Sequence, residues 1–201
     1  MKTETPLQNR QASCPAHGQT DCPISVLDRD KTHHSVRVRR VEMQDVPCIA
    51  AIERACFSEP WSETAIGETL TNPYAYLVCA VITDGESEAE RICAYGGLYF
   101  LGGDADITNI ATLPAYRRQG LARAVLSALV DGARLHFAQE IQCGEAVCAG
   151  EMAIHLEVRA SNEAAMALYQ AFGFVRDGVR RRYYKNPTED AVLMSRVLKK
   201  D

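Results

Sequence analysis

The features missing from this 201-residue chain already exclude several classes of protein. No apolar run approaches the roughly 18 residues of a membrane-spanning helix. The first residues also lack the apolar stretch of a secretory signal, so a cytosolic protein with no membrane partner is expected. A basic surplus is absent: 22 Lys and Arg stand against 26 Asp and Glu, a net charge of -4, which argues against a nucleic-acid binder. Neither GxGxxG nor GxxxxGK[ST] occurs, so the dinucleotide and P-loop fingerprints are excluded. Eight cysteines are present without a single CxxC pair. Cys48, Cys56, Cys79 and Cys93 lie inside apolar patterns and are predicted to be buried thiols. Cys14, His17 and Cys22, with His33 and His34 nearby, lack the spacing of a zinc site, so no metal is expected. No internal repeat is found.

With 47% hydrophobic residues, a chain of this size forms one domain and buries roughly 70% of its unfolded surface. Residues 1–34 are polar, with few aliphatics and two Cys-Pro steps, and read as a flexible tail before a domain over 35–201. The first strand carries Val36, Val38 and Val41. Asp45 is the expected N-cap of a helix over 46–56 with Pro47 in its first turn, and Ser62 caps a second helix through Leu70. Strands over 76–82 and 92–100 are joined by an acidic turn at Asp84-Gly85, and Gly102-Gly103-Asp104 makes the next turn. Strands follow at 107–112, 153–159, 174–184 and 191–198, with a long helix from Leu121 and a short one over 163–172 that Gly173 ends. The order β-α-α-β-β-β-α-β-α-β-β is that of an α/β (α+β) fold.

Residues 109–122 carry the strongest chemical signal. An alternating strand stops at Pro114, and after it Leu121, Val125 and Leu129 recur at helical spacing. Gly120 therefore sits at a helix N-terminus, where orphan amides and the positive end of the dipole favour an anion. Arg117, Arg118 and Arg123 add cations suited to a diphosphate. Strand, turn and Arg117-x-x-Gly120-x-Ala122 resemble the acetyl-CoA signature of the GNAT superfamily of N-acetyltransferases. That resemblance implies a single mixed, mostly antiparallel sheet flanked by helices, with acetyl-CoA as co-substrate and its pyrophosphate on the amides of this loop.

Acetyl transfer to an amine needs a proton acceptor, and the departing thiolate needs a proton. Glu157 lies mid-strand opposite Leu156 and Val158; on a cleft face it is a partly desolvated carboxylate, and otherwise an ion-pair partner of His155, Arg159 or a neighbouring strand. Asn162 and Tyr169, two helical turns apart, share a face. Taken alone, Asn162 reads as an N-cap and Tyr169 as a core aromatic beside Phe172.

The run Leu156-Glu157-Val158-Arg159-Ala160-Ser161-Asn162, with Ala167-Leu168-Tyr169 and Gly173-Phe174, resembles the RimI-type branch of that superfamily, as do Pro60-Trp61-Ser62 and Arg181-Arg182-Tyr183-Tyr184. The match covers about residues 36–198. It implies transfer to the N-terminal alanine of a small-subunit ribosomal protein, with Glu157 as proton acceptor and Tyr169 as proton donor. By the same resemblance, Ile110, Ala111 and Thr112 would meet the acetyl-pantetheine portion. Arg118, Gln119, Gly120, Leu121, Ala122 and Arg123 would meet the pyrophosphate, and Asn162 the cofactor's arm. Tyr183 and Tyr184 read either as walls of the peptide cleft or as sheet packing. A small-molecule amine acetyltransferase and a non-catalytic acetyl-CoA-binding module are the competing readings, and a monomer or weak dimer is expected. Residues 1–34 and a long connection over 139–151, with Cys143 and Cys148, depart from the compact family pattern.

Overall fold

The computed structural model describes residues 22–27, 33–83, 90–143 and 150–199. The strands are β1 (Cys22–Leu27), β2 (His33–Arg40), β3 (Ala75–Thr83), β4 (Glu90–Leu101), β5 (Asp104–Thr112), β6 (Glu151–Arg159), β7 (Val175–Tyr184) and β8 (Glu189–Lys199). The helices are α1 (Val46–Cys56), α2 (Glu63–Thr71), α3 (Leu121–Cys143) and α4 (Glu163–Ala171). The strands form one sheet in the order β1-β2-β3-β4-β5-β6-β8-β7. Only β5 and β6 run parallel, so the sheet is mixed and mostly antiparallel, as expected.

The sheet is covered on both faces. One layer of side chains packs Val125, Leu126 and Leu129 of α3 with Tyr169 of α4 onto Val78, Leu98, Ile107 and Leu156. The other packs Ile49 and Ile52 of α1 with Ile66 of α2 onto Leu77, Cys79 and Tyr95. Coverage on both sides explains why residues 76–82 of β3 are buried without alternation. The approach of α3 depends on Gly96 of β4: a Cβ there would lie 2.7 Å from Val125 Cγ1 and 3.0 Å from the Asn109 carbonyl oxygen.

The parallel ladder is short. Ala105, Ile107 and the residue between them pair with Ile154, Leu156 and the residue between those. Beyond it, and past a bulge at Thr108, residues 109–112 of β5 stay paired with β4 but leave β6, which continues alongside β8. A wedge opens between the two central strands on the side where α3 and α4 begin.

Several expectations are corrected. Residues 22–27, read as part of a flexible tail, form the edge strand β1; backbone pairing with β2 orders a segment whose composition offers little core. The rest of residues 1–32 lies outside the described residues, as do Asp84-Gly85 and Cys148. Asp45 precedes α1 but its side chain does not cap it. Its carboxylate instead takes Arg39 Nη1 at 2.6 Å, Arg39 Nη2 at 3.0 Å and the Glu42 amide at 2.8 Å. Burial pushes this carboxyl up, yet those hydrogen bonds outweigh it and hold Asp45 below the usual range. Cys79 and Cys93 are buried as expected, whereas Cys48 is exposed and Cys56 half-buried. Helix α3 runs through Cys143, so helix takes up the start of the expected 139–151 connection. Among the described residues no helix is long and apolar enough to cross a membrane.

Gly96→Ala is expected to destabilise the fold by about 1–3 kcal/mol, because α3 or β5 must shift to admit one methyl group. Chemical denaturation against the wild type checks this; an unchanged midpoint would show that the contact yields freely.

Candidate active site

The wedge between β5 and β6 widens into a cleft of about 1380 Å³. Ile110, Glu157, Asn162 and Tyr169 line it together, joined by Tyr183 and Tyr184 from β7 and by Phe57 and Trp61 from the α1–α2 connection. Alternation along β6 delivers Glu157: Leu156 and Val158 are buried while Glu157 keeps 33% of its side chain exposed. Its Oε1 pairs with Arg180 Nη1 at 2.7 Å and its Oε2 accepts the Tyr183 hydroxyl at 3.2 Å. The ion-pair alternative thus coexists with the cleft position, and the partner comes from β7. His155 faces Asp104 at 3.7 Å.

Tyr169 is buried on α4 and packs against Phe174, ring centroids 5.9 Å apart, in the core layer against which Phe172 also packs. Burial, aided by the neighbouring Tyr184, pushes its phenol up to about 12. Tyr184 is likewise pushed up to about 12, by burial and then by the charge of Glu157. Both phenols hold their protons at neutral pH. Asn162 caps α4, its Oδ1 accepting the Ala165 amide at 3.2 Å, so the cap reading and the cleft position are both realised.

Arg159 braces the outer wall. Its guanidinium donates to the Pro187 and Lys185 carbonyl oxygens at 3.1 and 3.0 Å, to Glu189 at 3.3 Å and to the Ser58 hydroxyl at 3.4 Å. It also lies 4.4 Å from the centroid of the Tyr184 ring. One side chain therefore ties the β7–β8 turn to the α1–α2 connection across the cleft.

The loop before α3 is shaped to take an anion. Arg118 and Gly120 have φ of 66° and 84°, so the backbone turns through two left-handed residues before Leu121 starts the helix. A Cβ on Gly120 would meet nothing within 4 Å, which leaves open space in front of the first helical amides. Arg118 and Arg123 are exposed beside them, Arg123 lying 5.4 Å from the Phe172 ring centroid. Arg117 points elsewhere: its Nε donates to the Thr112 carbonyl at 3.2 Å. Gln119 stands in the same turn, Leu121 and Ala122 begin α3, and none of residues 118–123 is part of the cleft lining. Ala111 is buried in the α1 layer.

The edge of β5 fits an amide-rich chain. Leu113 donates to the Cys93 carbonyl toward β4, so alternation turns the amide and carbonyl of Ile110 and Thr112 into the wedge. The Thr112 carbonyl accepts there from Arg117 and from Cys56 Sγ at 3.4 Å, and its buried Oγ1 has no partner among the described residues. The groups of Ile110 face the gap left by β6.

Sequence reasoning missed Glu53, Asn109 and Arg180, all of which line the cleft. Glu53 had left a trace, since it falls in helical phase with Ile49, Ile52 and Cys56 on the apolar stripe of α1. Arg180 left none, because its meeting with Glu157 spans two strands of the sheet.

Residues 46–174 match the family model described as Acetyltransferase (GNAT) family. The chain belongs to this family. It is accordingly an N-acetyltransferase that uses acetyl-CoA as co-substrate, and the open turn at Gly120 and the free edge at Ile110 fit that molecule's diphosphate and pantetheine arm. A putative [ribosomal protein bS18]-alanine N-acetyltransferase of Bacillus subtilis is 34% identical over 159 residues, covering 78% of this chain and 92% of the relative. The [ribosomal protein bS18]-alanine N-acetyltransferase of Escherichia coli K12 is 32% identical, with 79% and 95% covered. The crystal structure of the ribosomal-protein-S18-alanine N-acetyltransferase from Escherichia coli superposes with a TM-score of 0.64 at 30% identity, covering 83% of this chain and 96% of that one. Among the described residues no group of His, Cys, Asp or Glu could hold a metal ion.

In this acetyltransferase, Gly120→Glu is expected to abolish acetyl-CoA binding by placing a carboxylate in front of the helix amides on a backbone that side chains rarely adopt. Titration calorimetry with acetyl-CoA reads the loss; retained affinity would move the diphosphate site elsewhere.

Proposed function

We propose that this acetyltransferase acetylates the N-terminal α-amine of a protein, and that its acceptor is the N-terminal alanine of a small-subunit ribosomal protein in the cytosol. The observation that carries the chemistry is the convergence of Glu157 and Tyr169 on one cleft at the β5–β6 wedge. The acceptor assignment is supported by relatives at 32% and 34% identity, whose names specify ribosomal-protein alanine acetylation.

The residues act in a direct transfer. Acetyl-CoA supplies an activated thioester. Glu157, through a water, accepts a proton from the incoming ammonium; a third of its side chain is exposed and it lines the cleft, with Arg180 on one oxygen and the Tyr183 hydroxyl on the other. Tyr169 delivers its proton to the departing thiolate, a role suited to a phenol kept neutral by burial. Ile110 pairs its backbone with the pantetheine arm, and Thr112 and Ala111 fix that strand edge. Asn162, with its Oδ1 committed to the α4 cap, offers its amide nitrogen to the same arm. The turn formed by Arg118, Gln119 and Gly120, together with the amides of Leu121, Ala122 and Arg123, holds the diphosphate.

Incubation with acetyl-CoA and an alanine-starting peptide of the ribosomal protein is expected to give transfer, and the amine-blocked peptide none. Turnover confined to polyamines or aminoglycosides would favour a small-molecule enzyme, and cofactor binding without any transfer a non-catalytic module. Glu157→Gln and Tyr169→Phe should each lower kcat by about 10² to 10⁴ with acetyl-CoA affinity near normal. A larger loss from Tyr184→Phe than from Tyr169→Phe would reassign the acid. Since the Tyr169 phenol loses its proton only near 12, kcat is expected to hold through pH 10, where an ordinary phenol is half ionised. A fall centred near pH 10 that disappears in Tyr169→Phe would contradict the upward shift of this phenol.

A further inference from the structure

Glu53 is an acidic side chain in the middle of a helix, yet it is fully buried at 0% exposure. Burying a carboxylate costs several kcal/mol unless donors replace its water. Here three neutral donors do so. The Tyr95 hydroxyl from β4 makes a very short hydrogen bond to Oε1, and Asn109 Nδ2 from β5 donates to the same oxygen at 2.9 Å. Trp61, in the connection between α1 and α2, gives its backbone amide to Oε2 at 2.7 Å. Asn109 closes the group with a second contact, 3.1 Å to the Tyr95 oxygen. Both oxygens are engaged, and although Glu53 borders the cleft it exposes no surface there, so it offers an incoming amine no direct contact. Its geometry is that of a fastener.

The fastened parts lie on either side of the cleft floor. Tyr95 and Asn109 belong to the central strands, and Asn109 stands in the stretch of β5 that has left β6. Trp61 belongs to residues 57–61, a non-helical segment that forms the cleft's front wall through Phe57, Ser58 and Trp61. Such a segment lacks a ladder of its own to fix it. Phe57 and Trp61 rest on the α1 core layer, and the polar anchors of the segment are the Phe57 amide on the Glu53 carbonyl at 2.9 Å, the Arg159–Ser58 contact at 3.4 Å and, at its far end, the Trp61 amide on the Glu53 carboxylate.

We infer that Glu53 is a positioning residue for the acceptor, a buried carboxylate that fixes the 57–61 wall at the distance from the β5 edge which the acceptor amine requires. The inference rests on the acetyl-transfer reading above and extends it to a residue that touches neither reactant. It separates two functions of the floor: Ile110 and the α3 turn serve acetyl-CoA, whereas the Glu53 cluster serves the other substrate.

Trp61 is the only tryptophan in the chain, so the wall carries its own reporter. Glu53→Leu removes every acceptor and leaves the Trp61 amide unmatched. Acrylamide quenching of Trp61 should rise, and KM for the alanine-starting peptide should increase roughly tenfold, the scale of a lost charge-assisted hydrogen bond. At saturating peptide kcat should stay within about twofold, with acetyl-CoA affinity unchanged, the pattern of lost binding rather than lost chemistry. Glu53→Gln should restore peptide KM, because its amide oxygen can take the Trp61 amide once the Asn109 side chain turns its own oxygen toward the new NH2 group. A folded Glu53→Leu protein with wild-type quenching and wild-type KM overturns the inference, as does a loss confined to kcat or to acetyl-CoA binding. Should Glu53→Leu not fold, wild-type protein decides: saturating peptide must shift or shield Trp61 emission, and an unmoved emission overturns the inference. Wild-type protein inert toward every peptide but active on polyamines would refute the acceptor reading instead, a result distinguishable because the quenching comparison needs no substrate.

Discussion

Parallel strands hold each other only while their backbone groups find partners, and between β5 and β6 that ladder stops after three residue pairs. Past it, β5 follows β4 and β6 follows β8, so the facing edges of the sheet's two halves carry amides and carbonyls with no strand between them. A ligand with its own amide groups can complete that edge, which is the role proposed here for the arm of acetyl-CoA at Ile110. The helices obey the same divergence. α3 and α4 follow β5 and β6, so both start at the open end of the wedge, one presenting its first amides and the other Asn162 and Tyr169. Close packing at Gly96 then fixes how α3 lies over the central strands, and with it where the anion turn sits.

Opening a sheet in its middle removes packing from the place where a domain is usually densest. The structure offsets this with polar ties that span elements distant in sequence. Glu53 joins α1, β4, β5 and the α1–α2 connection, and Arg159 joins β6, the β7–β8 turn and that same connection. A third tie, Arg39 with Asp45 and Glu90, links β2 to β4 and to the start of α1 well away from the cleft. Buried ties of this kind add less to stability than apolar packing would, but they tolerate only one arrangement of their parts.

Legibility in the sequence followed the range of the interaction. Local patterns carried through: helix α1 occupies the residues its periodicity marks, Ser62 accepts the Ala65 amide at 3.1 Å, and Gly173 takes φ of 81° after α4. Alternation placed Glu157 opposite Leu156 and Val158, and a two-turn spacing placed Tyr169 with Asn162. Contacts made across the sheet were silent. Nothing near Asp45 in sequence announced that Arg39 would take its carboxylate from the N-cap position, because two groups six residues apart meet only once β2 has paired and the chain has turned. Arg117 and Arg118 looked equivalent as cations and both are exposed, yet Arg118 takes the left-handed conformation while the Arg117 side chain donates to the Thr112 carbonyl. The resemblance that named the family supplied roles that local chemistry alone left open between a cap, a core aromatic and an ion pair.

The outermost strand, β7, has a consequence for how the protein behaves among its own copies. It borders only β8, so one row of its backbone groups faces outward, the kind of edge on which chains add to one another. Four arginines lie along it, Arg176, Arg180, Arg181 and Arg182, and its register slips twice, with Arg182 itself at φ of 53°. A second β7 laid against this edge would bring like charges together on a backbone too kinked to keep a ladder. The strand that walls the cleft with Tyr183 and Tyr184 thus carries the charge and the kinks that oppose edge-to-edge pairing.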